Sequence, residues 1–170
     1  MLDENRYRFR LDDTSLTMWV KPPSVFLRGI YFFFAFLTGI GPIVGLVLSV
    51  TSGSGFHFGM LFGMGISGLI SFYLLRVALW NTYGKETLSF SGDKVVYHAD
   101  YGWFKDAKKV LPVLAELSFE IKSIGYEEEK QGTLLINYGS DQKLCASRMH
   151  EDDLAILIES LTKIQAGSIQ

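Results

Sequence analysis

The sequence predicts a membrane protein of the α+β class: a two-helix transmembrane hairpin plus a small antiparallel sheet or partial barrel closed by a C-terminal amphipathic helix. Three observations predict it. The 170-residue chain is 48% hydrophobic with a mean hydropathy of +0.21, more apolar than a soluble domain of this size needs to be. From Gly29 to Leu75 there is no Asp, Glu, Lys or Arg, although such residues make up 20% of the chain. After that block, short segments alternate polar and apolar residues at strand period, and a final apolar stripe recurs at helical spacing. The chain divides accordingly into N-terminal strands over 1–25, a hairpin over 26–80 and a β domain with its helix over 81–170.

The N-terminal segment opens the argument. Arg6-Tyr-Arg-Phe-Arg-Leu11 alternates, and Ser15-Leu-Thr-Met-Trp-Val20 does so again after Asp12-Asp13-Thr14, so two short strands are expected to join the later sheet. The charge-free block splits into the runs Gly29–Val50 and Phe56–Leu75, separated by Thr51-Ser52-Gly53-Ser54-Gly55, and helices are expected over about 29–50 and 56–78. Each run is near the ~20 residues that cross a hydrocarbon core. A secretory leader is not expected, because the start Met1-Leu2-Asp3-Glu4 is acidic and the apolar run begins too far in. Arg6, Arg8, Arg10, Lys21 and Arg28 precede the first helix, Arg76 and Lys85 follow the second, and the intervening loop has no such residue. The positive-inside rule then places both termini in the cytoplasm and the chain in the inner (cytoplasmic) membrane as a multi-pass protein. Trp19, Tyr31, Tyr73, Trp80 and Tyr83 suit the headgroup level.

Within the helices, Gly41 and Gly45, then Gly59 and Gly63, are spaced four apart, which lets backbones approach closely. They are expected to pack the two helices of one chain together or to form the seam of a homodimer. Pro42 is expected to kink the first helix. No acidic or basic side chain is expected within either run except His57 at the outer edge, which disfavours transport by this chain alone.

The strands come next. Glu86-Thr-Leu-Ser-Phe90 and Lys94-Val-Val-Tyr-His98 flank the turn Ser91-Gly92-Asp93-Lys94 as a hairpin. Further strands are expected over Ala107–Leu111, Leu117–Ile121, Thr133–Tyr138 and Gln142–Ala146. The helix over 150–165 is read from Leu154, Leu157, Ile158, Leu161 and Ile164, with Glu151, Asp152 and Asp153 in the first turn, where the helix dipole favours negative charge.

Little chemistry is signalled. A single cysteine, Cys145, cannot form an internal disulfide and reads as a small buried hydrophobe. A net charge of -2 gives no basic footprint for nucleic acid. His57, His98 and His150 are scattered, without metal-ligand spacing, and no phosphate-binding glycine loop appears, so no metal or cofactor is expected. Glu127-Glu128-Glu129 reads as a solvated loop tip. The most suggestive feature is Tyr101-Gly102-Trp103-Phe104-Lys105 with Lys108 and Lys109 close behind. Such an aromatic turn backed by lysines suits contact with anionic headgroups or a protein partner, against the plainer reading that Trp103 and Phe104 fold back onto the sheet.

Taken together, two spanning helices, Pro22-Pro23 before the first, Glu86-Thr-Leu-Ser-Phe, Gly132-Thr-Leu-Leu-Ile-Asn-Tyr-Gly139 and Asp153-Leu-Ala-Ile-Leu-Ile-Glu-Ser-Leu161 resemble the bacterial membrane proteins with a pleckstrin-homology-like cytoplasmic domain. The resemblance implies a barrel-like sheet capped by the last helix and implies no activity. The expected function is a non-enzymatic membrane-anchored binding or scaffold protein that recognises a protein or lipid headgroup at the inner leaflet. An immunity-type protein that neutralises a toxin, and an accessory subunit of a larger membrane complex, are the alternatives.

Overall fold

The computed structural model describes residues 8–53, 55–92, 94–126 and 129–167. Arg6 and Tyr7 of the first alternating segment, Asp93 of the hairpin turn and Glu127 and Glu128 of the acidic tip lie outside them. The chain forms two compact units: Pro22–Thr82, and a discontinuous unit of Met1–Lys21 with Tyr83–Gln170.

The first unit is two helices. α1 spans Val25–Thr51, and its N-terminus is set by Ser24, whose hydroxyl accepts from the Leu27 amide, directly after Pro22-Pro23. That cap explains why the helix starts ahead of the charge-free block. α1 runs through Pro42 as one helix. α2 spans Phe58–Tyr83, continuing past Arg76. Both are long and apolar enough to cross a bilayer. The buried residues are Ala35 in α1 and Ala78 and Leu79 in α2, so the apolar surfaces of these helices point outward.

Among its described residues the second unit carries eight strands, β1 Phe9–Asp12, β2 Ser15–Trp19, β3 Lys85–Ser91, β4 Lys94–Asp100, β5 Lys105–Leu111, β6 Ser118–Ser123, β7 Gln131–Tyr138 and β8 Asp141–His150, and one α-helix, α3, Glu151–Gly167. They make two antiparallel sheets, β1-β2-β3-β4-β5 and β6-β7-β8. The N-terminal strands extend the C-terminal sheet, because β2 pairs with β3 in the register Leu16↔Leu88 and Met18↔Glu86. Among the described residues the strands do not form a single closed barrel. The chain leaves β5 at Pro112, which has no amide to continue a ladder, and passes through a 3-10 turn, Leu114–Glu116, before β6 begins the other sheet.

Leu16, Leu88, Val95 and Tyr97 from the larger sheet meet Leu134, Ile136 and Cys145 from the smaller one in a shared core. α3 adds Leu154, Leu157 and Leu161, all fully buried. Gly132 permits this packing, because a Cβ there would meet Ile121 Cγ2 at 2.9 Å and Leu154 Cδ1 at 3.1 Å. The Gln165 carboxamide donates to the Leu114 and Leu117 carbonyls at 2.6 and 2.7 Å, tying the end of α3 to the 3-10 turn. His150 closes β8 rather than opening α3.

Candidate functional site

The aromatic turn between β4 and β5 is built by its own backbone. Asp100 Oδ1 accepts from the Gly102 amide at 2.8 Å, and the Tyr101 amide donates to the Phe104 carbonyl at 2.9 Å. Gly102 sits at φ +86, and a Cβ there would meet Tyr83 Cβ at 2.8 Å, so glycine is required on both counts. The turn divides the two aromatics that the sequence groups together. Phe104 stacks on Tyr101 with centroids 4.7 Å apart and planes 9° apart, whereas Trp103 is 69% exposed. Trp103 is thus an outward apolar side chain on a rigid turn.

The lysines are divided too. Lys105 is the register partner of Asp100 at the base of the turn. Beyond it the β4–β5 ladder slips, with Ala107 and Lys108 opposing His98 alone, and Ala107 takes φ +54. The bulge puts Lys109 opposite Tyr97, with its ammonium 5.1 Å from the ring centroid of Tyr138. Trp103 and Lys105 therefore belong to the turn, Lys108 to the bulge, and Lys109 to the side facing β7. All three lysines are exposed and lie on the edge strand of the larger sheet, where charge also protects the edge from pairing with another chain. Burial and the nearby Lys105 ammonium lower the pKa of His98 below its ordinary 6.5.

A second cluster, absent from the expectations above, lies in the core. Glu86 is fully buried, and its carboxylate joins the two sheets. It accepts from the Ala146 amide at 2.8 and 2.9 Å, from the Ser147 amide at 2.7 Å and from the Tyr97 hydroxyl. Those amides are free of the ladder because β8 bulges: Thr133 pairs with Arg148 and Leu135 with Leu144, leaving Cys145, Ala146 and Ser147 opposite Leu134. The Thr133 hydroxyl lies 2.7 and 2.9 Å from the Cys145 and Ser147 carbonyls and donates into the same bulge. Lys143 places its ammonium 4.2 Å from the centroid of the Tyr97 ring. Burial first, and then the Glu86 charge, raise the pKa of both the Tyr97 phenol and the Cys145 thiol, so each keeps its proton at neutral pH. Cys145 is 2% exposed, a packed side chain rather than an accessible nucleophile. The sequence held one signal of this cluster: Glu86 shares strand phase with the apolar Leu88 and Phe90.

In the helical unit, a Cβ at Gly41, Gly45, Gly59 or Gly63 would meet nothing within 4 Å. The expected tight packing of these glycines inside one hairpin is therefore not where the helices approach. The close approach is at Gly39, whose Cβ would lie 2.6 Å from Ser71 Oγ, and the Ser71 hydroxyl donates to the Ala35 carbonyl at 2.7 Å. Gly45 and Gly63 instead line an open groove of about 420 Å³ with Pro42, Met60 and Ser67.

Among the described residues no three His, Cys, Asp or Glu side chains converge to hold a metal ion. Comparison with protein-family models finds no match, and comparison with curated proteins finds none either.

Proposed function

We propose that the chain is a non-enzymatic binding or scaffold module anchored in a bacterial inner membrane. Both termini are cytoplasmic, and a pleckstrin-homology-like sheet unit recognises its target at the inner leaflet. The observation that carries this reading is the pair of charge-poor helices with outward apolar surfaces. Phe33, Phe36, Leu48, Phe62, Leu69 and Phe72 are all more than half exposed, a state a soluble core helix does not tolerate and a lipid-facing one requires.

The rest of the reading follows from chemistry. Of the buried titratable groups, Glu86 is engaged in joining the sheets, Tyr97 is bonded to it and Cys145 is packed in the core, which favours a binding role over catalysis. Trp103 on its braced turn, with Lys105 beside it, has the make-up of a contact residue: an apolar ring held out at low entropic cost. The unpacked Gly41, Gly45, Gly59 and Gly63 favour lateral association with a second copy in the bilayer.

Alkaline carbonate washing of membranes, followed by crosslinking in mild detergent, tests both halves. The full-length protein is expected to stay in the membrane pellet. The Trp103→Ala, Phe104→Ala pair is expected to lower target recovery about tenfold, as loss of a buried aromatic anchor does. Release by the wash would overturn the anchoring. Unchanged recovery at unchanged stability would overturn the contact role of the turn.

A further inference from the structure

We propose that a basic groove between the β1–β2 hairpin and the end of β8 binds the phosphate of an anionic ligand. The proposal rests on the membrane-anchored binding reading above and names the ligand chemistry for it. The groove, about 430 Å³, is lined by Arg8, Lys21, Gln131, Arg148, His150 and Asp153. Three separate stretches of chain supply these residues. Arg8 immediately precedes β1, and its carbonyl accepts from the Trp19 amide at 2.9 Å, which holds it beside the end of β2, where Lys21 follows. On the other wall, Thr133↔Arg148 and Gln131↔His150 are register pairs. Arg148 and His150 therefore share the outward side of β8, and the intervening Met149 is buried.

Three basic side chains thus line one concavity in a chain whose net charge is -2. Among the described residues Arg8, Lys21 and Arg148 form no ion pair, and the nearest charged contact of His150 is Asp152, at 3.2 Å. Asp153 is the single carboxylate of the lining. Three cations against one carboxylate leave the cleft with an excess of positive charge, and a bound anion offsets the repulsion among them. Guanidinium groups offer paired donors that match phosphate oxygens, the lysine adds a point charge, and the Gln131 carboxamide adds a neutral donor. The volume leaves room for a phosphate and an attached polar group.

Two sources supply that chemistry. In sequence, Lys21 is followed by Pro22-Pro23-Ser24 and then by α1, so one groove cation stands just ahead of a helix suited to lipid; an anionic phospholipid headgroup is one source. A soluble phosphate is the other.

The test uses the full-length, isotope-labelled protein in phosphatidylcholine nanodiscs, following the amide resonances of Gln131, Arg148 and His150. In one arm inorganic phosphate is added against chloride at equal ionic strength; in the other, phosphatidylglycerol replaces a third of the lipid. Shifts in the first arm identify a soluble phosphate, and shifts confined to the second identify a headgroup. Either result supports the proposal, provided that the Lys21→Gln, Arg148→Gln pair weakens the response about tenfold or more. The Ala146 and Ser147 amides, held by Glu86, should not move, which reports an intact fold. Silence in both arms, an equal response to chloride, or shifts that survive the double substitution would overturn it. Failure of the anchoring is read separately, by the carbonate wash, and leaves the phosphate arm measurable in detergent.

Discussion

At the residue scale, the side chain with the largest structural consequence is Glu86. Removing it strands the Tyr97 hydroxyl and the Ser147 amide in the core, each costing about 1–3 kcal/mol when unsatisfied, and takes the acceptor from the part-buried Ala146 amide. Glu86→Ala is expected to destabilise the sheet unit by about 3–5 kcal/mol in detergent-based denaturation of the full-length protein. Glu86→Gln is expected to lose less, because its carbonyl oxygen still accepts while its NH2 faces a donor. Ser147 offers the converse case. Its hydroxyl is buried without a partner while its amide bonds Glu86, so Ser147→Ala is expected to be neutral or stabilising by up to about 1 kcal/mol. His98 gives the pH dependence. Its folded pKa is below that of the unfolded chain, so the unfolded state binds more protons between the two values. Its contribution is complete above about 6.5 and declines as pH falls through the folded value, with Lys105, Lys85 and Lys108 opposing protonation and Asp100 favouring it. His98→Gln should flatten a stability-against-pH curve in that window; an unchanged slope would remove His98 as its cause. The phase of Glu86 was legible in the strand pattern. Its partners were not, because a bulge far along the chain frees them and no local alternation announces such a slip.

At the element scale, most strands and all three helices follow from periodicity, and the differences lie at the ends. α1 starts at Val25 because Ser24 caps it, and β8 runs on to His150 because the bulge restores its pairing with Gln131 beyond the apolar stretch. The aromatic turn was visible as composition, but which ring stacks and which projects depends on the Asp100 and Gly102 geometry. Small residues mark the element contacts. Gly132→Ala would push Ile121 and Leu154 apart, and a loss of about 1–3 kcal/mol is expected in the same denaturation assay. In the hairpin, glycine spacing alone could not identify the crossing, since the two helices carry eight glycines and, among the described residues, Gly39 is the one of them whose Cβ would meet a side chain of the other helix. Ser71→Ala removes the hydroxyl bonded to Ala35 and is expected to weaken helix association by about 0.6–1 kcal/mol, while Gly45→Leu is expected to spare that bond and, if the proposed association of copies holds, to lower it. Crosslinking between copies in the membrane separates these two effects.

At the scale of the whole molecule, the chain places an apolar helix pair between two parts of one sheet, since β2 and β3 are neighbours in register although α1 and α2 lie between them in sequence. The composition announced the helix pair, and strand alternation on either side anticipated the pairing. The division into two sheets, five strands and three, was not legible, because the break at Pro112 depends on long-range packing rather than on the pattern of either flanking strand. The central claim is that Pro22–Thr82 lies in lipid as a hairpin, with the sheet unit on the side of both termini. It is tested most directly by labelling sealed membrane vesicles with a membrane-impermeant maleimide, using Ser52→Cys and Ser140→Cys in a Cys145→Ala background. Ser52 follows α1 and the exposed Ser140 lies in the turn between β7 and β8. The account predicts labelling of the two positions from opposite faces, with position 140 reached from the cytoplasmic one. Labelling of both from the same face, or recovery of the protein in the soluble fraction, would contradict it.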